Sequence, residues 1–119
     1  MTKNQTNKMK NSLFNLKMTI PTGRFYINTE MSRKLNIQTG DGIMLSFNYK
    51  EKRILIWKEN DEDSIKLRIN NDLDVRFTNK NLMFHIIKCL QLDCSKPSYD
   101  LSMIKFNNNK YQILWKQEN

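Results

Sequence analysis

Alanine is absent from this chain, and glycine, proline, cysteine and histidine are scarce: three, two, two and one among 119 residues. Two thiols and one imidazole do not supply the four protein ligands of a structural zinc site. Cys89 and Cys94, spaced C-x4-C, therefore read as reduced thiols, with Cys89 a small buried hydrophobe in an apolar helical run. No nucleophile with a base, paired carboxylates or metal cluster is visible, which points away from an enzyme and from any cofactor. Gly40-Asp41-Gly42 is too short to cradle a nucleotide phosphate and reads as a turn. No apolar run is long enough for a transmembrane helix, and residues 1–19 lack the apolar segment and cleavage site of a secretory signal. The expectation is a cytoplasmic protein with no membrane partner.

Positive charge is plentiful. Twenty Lys and Arg against twelve Asp and Glu give a formal net charge of +8. Each phosphate that such a surface neutralises releases counterions, so a polyanionic partner is favoured, whether DNA, RNA or an acidic protein. Residues 1–12 read as a basic flexible arm carrying Lys3, Lys8 and Lys10, and no acid occurs before Glu30. Residues 61–64 read as an acidic connector at the end of the run Glu59 to Asp63.

The chain also repeats itself. Phe47 to Asn60, FNYKEKRILIWKEN, matches Phe106 to Asn119, FNNNKYQILWKQEN, at six of fourteen positions without a gap. Upstream, Arg24-Phe25 and Met31 recur 52 residues later as Arg76-Phe77 and Met83, whereas the hairpins lie 59 residues apart. The second copy thus holds about seven extra residues, most simply in its helix and the following loop. A unit of some fifty residues rarely buries a core alone, so the two copies are expected to form one pseudo-twofold body. The first unit spans 13–60 and the second, diverged unit 65–119.

Each copy reads as strand, turn, strand, helix, strand, hairpin turn, strand. In the first these are strands at 13–19 and Arg24 to Ile27, a helix from Glu30 to Leu35 capped by Asn28 or Thr29, and strands from Ile43 to Asn48 and Arg53 to Lys58. In the second, Ile65 to Ile69 and Val75 to Thr78 precede a helix capped by Asn79 or Asn81, and Tyr99 to Phe106 and Lys110 to Lys116 close a hairpin. His85, between Phe84 and Ile86, reads as a half-buried structural histidine; Phe25, Phe47, Phe77, Trp57 and Trp115 read as core.

Gly23-Arg24, Glu30-Met31, Arg33, Leu35-Asn36-Ile37, Gly40-Asp41 and Ile54-Leu55-Ile56 together resemble the swapped-hairpin domain of AbrB-, MazE- and MraZ-like proteins. The second copy keeps Arg76, the helix and the hairpin but lacks Gly-Arg and Gly-Asp. The resemblance implies a mainly β fold with short helices, an α+β class in which two units interlace into a barrel-like body within one chain. It also implies double-stranded DNA as partner and a role in transcription regulation. By position, Arg24 and Arg33 match the family's DNA-contacting arginines, with Lys34 adjacent. Arg76 corresponds to Arg24, and Lys80 and Lys88 are the second copy's further candidates. An alternative expectation is a protein-interaction module, antitoxin-like or encoded on a mobile element, that keeps the fold without sequence-specific DNA binding.

Overall fold

The computed structural model describes residues 15–71 and 73–115. The basic arm at 1–12 lies outside the described residues, as does the end of the second hairpin beyond Trp115. In chain order the elements are β1 (Leu16–Thr19), β2 (Arg24–Ile27), α1 (Thr29–Leu35), β3 (Gly42–Asn48) and β4 (Arg53–Lys58). They continue with β5 (Ile65–Lys66), β6 (Val75–Thr78), α2 (Lys80–Leu90), β7 (Ser98–Lys105) and β8 (Lys110–Leu114). No described helix is long and apolar enough to cross a membrane.

Local chemistry sets the helix limits. The Asn28 side chain accepts the Met31 amide at 2.9 Å, filling one of the donors that a helix start leaves open. Asn36 ends α1 in the left-handed region, φ 54°, its amide reaching the carbonyls of Ser32 and Arg33. Asn79 caps α2 in the same way, accepting from Leu82 at 2.9 Å, and Gln91 ends it at φ 56°. At eleven residues against seven, α2 absorbs part of the extra length of the second copy.

All eight strands pair antiparallel in one curled, half-barrel sheet, in the order β5-β3-β4-β8-β7-β1-β2-β6. An isolated bridge between Ile69 and Val75 brings the chain after β5 beside the far edge strand, β6. The β3–β4 hairpin lies between β5 and β8, and the β7–β8 hairpin between β4 and β1. Each hairpin is thus flanked on both sides by strands from the other half of the chain. Phe25 lies opposite Phe77 and Ile54 opposite Ile113, so in both ribbons residues at the repeat spacing face one another.

Alternation along the strands builds the core. Leu101, Leu16, Ile27 and Val75 form one inward row across β7, β1, β2 and β6, and Tyr99, Met18, Phe25 and Phe77 form the next. All but the partly buried Phe77 are at most 2% exposed, and burial on this scale is the dominant stabilising term. Ile54 and Ile113 extend the core at the hairpins, and α2 adds Leu82, Met83, Ile86, Ile87 and Cys89.

Two expectations are corrected. The strand at 65–69 pairs as β5 only over Ile65 and Lys66. Beyond it Leu67 turns to the loop after α1, donating to the Asp41 carbonyl at 2.8 Å and accepting from Gly40 at 2.9 Å. His85 is exposed rather than half-buried, because its neighbour Phe84 is itself 57% exposed and the apolar stripe of α2 runs along the opposite face.

Candidate nucleic-acid interface

The outer face of the β2–β6 pair carries a cluster of cations. Register places Asp100, Lys17, Tyr26 and Arg76 in one outward row across β7, β1, β2 and β6, and Ser98, Thr19, Arg24 and Thr78 in the next. Arg24 and Arg76 therefore project from neighbouring strands on one face, diagonal to each other at a backbone separation of about 7–8 Å. Both are exposed, while Phe25 between Arg24 and Tyr26 is buried.

Gly23 sets a further cation, Lys80, beside Arg24. A Cβ there would stand 2.9 Å from the Lys80 Cα, and its φ of +77° is one that glycine adopts without strain. The Gly23 carbonyl accepts the Asn79 amide at 2.8 Å. The Gly-Arg turn is thereby seated on the start of α2, with exposed Lys80 beside it.

The two arginines are held differently. Arg76 Nη2 donates to Asp74 Oδ2 at 3.4 Å, and its guanidinium lies 5.2 Å from the Tyr26 ring centroid, within the range of cation–π attraction. Asp74 is buried, and its other oxygen accepts Asn70 Nδ2 at 2.7 Å. Among the described residues, no hydrogen bond, ion pair or ring contact engages the Arg24 side chain.

The remaining candidates are spread around this centre. Arg33 lines a groove with Ser32, Ile37, Ile69 and Leu73, and Ile69 also walls the adjoining groove of about 500 Å³ that holds Asn70, Asp74 and Arg76. Lys34 approaches Glu30 at 3.9 Å with both side chains half exposed, a pairing of little energetic weight. Lys88 lies elsewhere, its ammonium 5.6 Å from the ring centroid of Tyr49 in the β3–β4 turn. His85 meets the same tyrosine, with Nδ1 2.6 Å from the hydroxyl. The structure thus gathers Arg24, Arg76 and Lys80, sets Arg33 in the adjoining groove, and places Lys88 against a different surface.

Sequence reasoning missed Lys17, Tyr26, Asp74 and Asn70. Period-two alternation alone would have put Lys17 and Tyr26 on the outer face with Arg24; no short-range pattern shows that Asp74 and Asn70 close a network with Arg76. Of the aromatics expected in the core, Phe25 is buried, Phe47, Phe77 and Trp115 are partly buried and pack against the core, and Trp57 is partly exposed outside it. Lys110 covers the Trp57 ring at 4.7 Å.

The Gly40-Asp41 turn joins three segments. Asp41 accepts the Gln38 amide at 2.8 Å and pairs with Lys58 at 3.4 Å. The Gln38 amide first, then the Asn60 side chain and Lys58, hold the Asp41 carboxyl below its ordinary range against an opposing effect of burial. These contacts fasten the loop. Comparison with protein-family models, with curated proteins and with solved structures finds no match for this chain.

Proposed function

We propose that this chain is a non-enzymatic double-stranded DNA-binding protein, a transcription regulator in which two interlaced swapped-hairpin units of one polypeptide present basic residues to one duplex. The observation that carries this reading is the emergence of Arg24 and Arg76 on one outer face, on either side of the Phe25–Phe77 pair. The two-unit architecture is supported by the hairpins, each flanked by strands of the other half. It is supported again by the two strand pairs that join residues at the repeat spacing. An antiparallel pair of equivalent residues is what a local twofold axis passing between them produces.

β2 and β6 are the last two strands at one edge of the sheet, and sheet strands as well as helices serve as reading elements in DNA grooves. Arginine suits such a site because its planar fork meets phosphate or the guanine edge with two parallel bonds. Lys17 and Lys80 add charge at the borders of the ribbon, and Arg33 extends it along the adjoining groove.

A gel-shift titration of duplex DNA across a salt series tests the proposal. Affinity is expected to fall linearly in log–log form as salt rises, and Arg24→Ala combined with Arg76→Ala is expected to weaken binding strongly at every salt concentration. Absence of binding at low salt, or a double variant that binds as the parent does, would overturn it. The second reading, a protein-interaction module, draws on Phe84 and Tyr49, 57% and 42% exposed, beside His85 and Lys88. Stoichiometric co-purification of a protein that is lost on Phe84→Ser, with no DNA binding, would favour it.

A further inference from the structure

The repeat makes Arg24 and Arg76 equivalent in sequence, yet their surroundings are not equivalent. Asp74 is 5% exposed at its side chain and the Arg76 side chain 67%. The carboxylate is thus a fixed, buried anchor under a guanidinium that still faces solvent. Its Oδ1 is occupied by Asn70 and its Oδ2 by Arg76. Tyr26, directly opposite Arg76 in the ribbon, supplies a ring at 5.2 Å. A carboxylate at one edge and a ring at one face restrict both the position and the plane of the guanidinium. Arg24 faces Thr78 and has neither restraint among the described residues.

We infer that Arg76 is the base-reading arginine and Arg24 a sequence-neutral phosphate contact, with Asp74 as the positioning residue that fixes Arg76. This rests on the DNA-binding reading above and adds which residue confers specificity and what it recognises. With an ion pair and a ring beside it, the Arg76 guanidinium has less freedom to lose on binding than that of Arg24, so misaligned acceptors are penalised more. Guanidinium carries five donors; with one N–H of Nη2 engaged by Asp74, a fork remains for two parallel acceptors. Guanine presents such a pair in the major groove, O6 and N7. A mobile arginine instead follows the phosphate backbone, which carries no sequence information directly. The preferred site is therefore asymmetric and bound in one orientation, although the fold repeats.

The experiment starts with selection of preferred duplexes from a random-sequence pool by the full chain. The parent protein, Asp74→Asn and Arg24→Ala are then titrated against the selected duplex and a scrambled one at several salt concentrations. Asp74→Asn is expected to keep the salt slope and lose about 5- to 150-fold of the discrimination between the two duplexes. Arg24→Ala is expected to weaken binding to both duplexes alike and to reduce the salt slope by about one. Retained discrimination in Asp74→Asn, or its loss in Arg24→Ala, overturns the inference.

If Asp74→Asn does not melt cooperatively, Tyr26→Leu, which removes the ring and leaves the carboxylate, carries the same expectation. A parent protein that binds DNA but selects no preferred sequence overturns this inference alone. One that binds no duplex at low salt overturns the functional reading as well.

Discussion

Phe25 and Phe77 stack with ring centroids 5.0 Å apart and planes 10° from parallel. They lie directly opposite in the β2–β6 register. If this pair ties the two halves together, its energetics are not additive. Phe25→Leu, Phe77→Leu and the double variant, compared by chemical denaturation, should show a coupling of about 0.5–1.5 kcal/mol. Additivity within a few tenths of a kcal/mol would mean that the contact joins nothing of consequence.

Separating the halves tests the interlacing more directly. Residues 1–61 and 62–119, produced as two polypeptides, should each lack a cooperative melt, since the strands flanking each hairpin come from the other half. Mixing them should restore one. A half that melts cooperatively alone would contradict the interlaced arrangement.

Gly42 tests how closely β3 approaches the connector. A Cβ at this position would collide with the Ser64 hydroxyl and come within 2.9 Å of the Glu59 carbonyl. Gly42→Ala should therefore destabilise by about 1–3 kcal/mol. The backbone carbonyl cannot retreat as a side chain can, so Gly42→Ala with Ser64→Gly should recover only part of the loss in a thermal melt.

The Asp41 turn gives a pH dependence with a definite sign. Its carboxyl is held below the ordinary value of 3.8 in the folded chain, so over that interval the unfolded chain binds more protons and stability rises with pH. The contribution is complete above that value and disappears as pH falls through the lower, folded one. Asp41→Asn should cost about 1–2 kcal/mol at neutral pH. The difference from the parent should close as denaturation is followed below pH 3.8.

Much of the fold was legible because its signals are local. The limits of β2, β4 and β6 follow from alternation and turn residues, and Asn28, Asn36 and Asn79 mark helix ends by their own hydrogen bonding. Where a partner far away in the chain decided the outcome, reading failed. Leu67 leaves the β5 pairing for Gly40 and Asp41, contacts that no pattern within 65–69 encodes. The apolar residues flanking His85 suggest burial, whereas the helical period turns both Phe84 and His85 outward. At the candidate interface the arginines were legible from the repeat and the resemblance. Their common face required the pairing of β2 with β6, and the Asp74–Asn70 anchor required side-chain geometry.

The seat of α2 on the β3–β4 hairpin makes the two cysteines into a clock. Cys89 is 1% exposed, with its sulfur 3.7 Å from the Asn48 carbonyl and 3.9 Å from that of Arg53. Burial pushes its thiol pKa up, so it is shielded from alkylation by access and by protonation alike. Cys94 is a free, exposed thiol. One alkylating reagent therefore meets two sulfurs on separate timescales: Cys94 at once, and Cys89 only when the helix lifts from the hairpin. The ratio of the two labelling rates measures how often α2 detaches from an otherwise folded sheet.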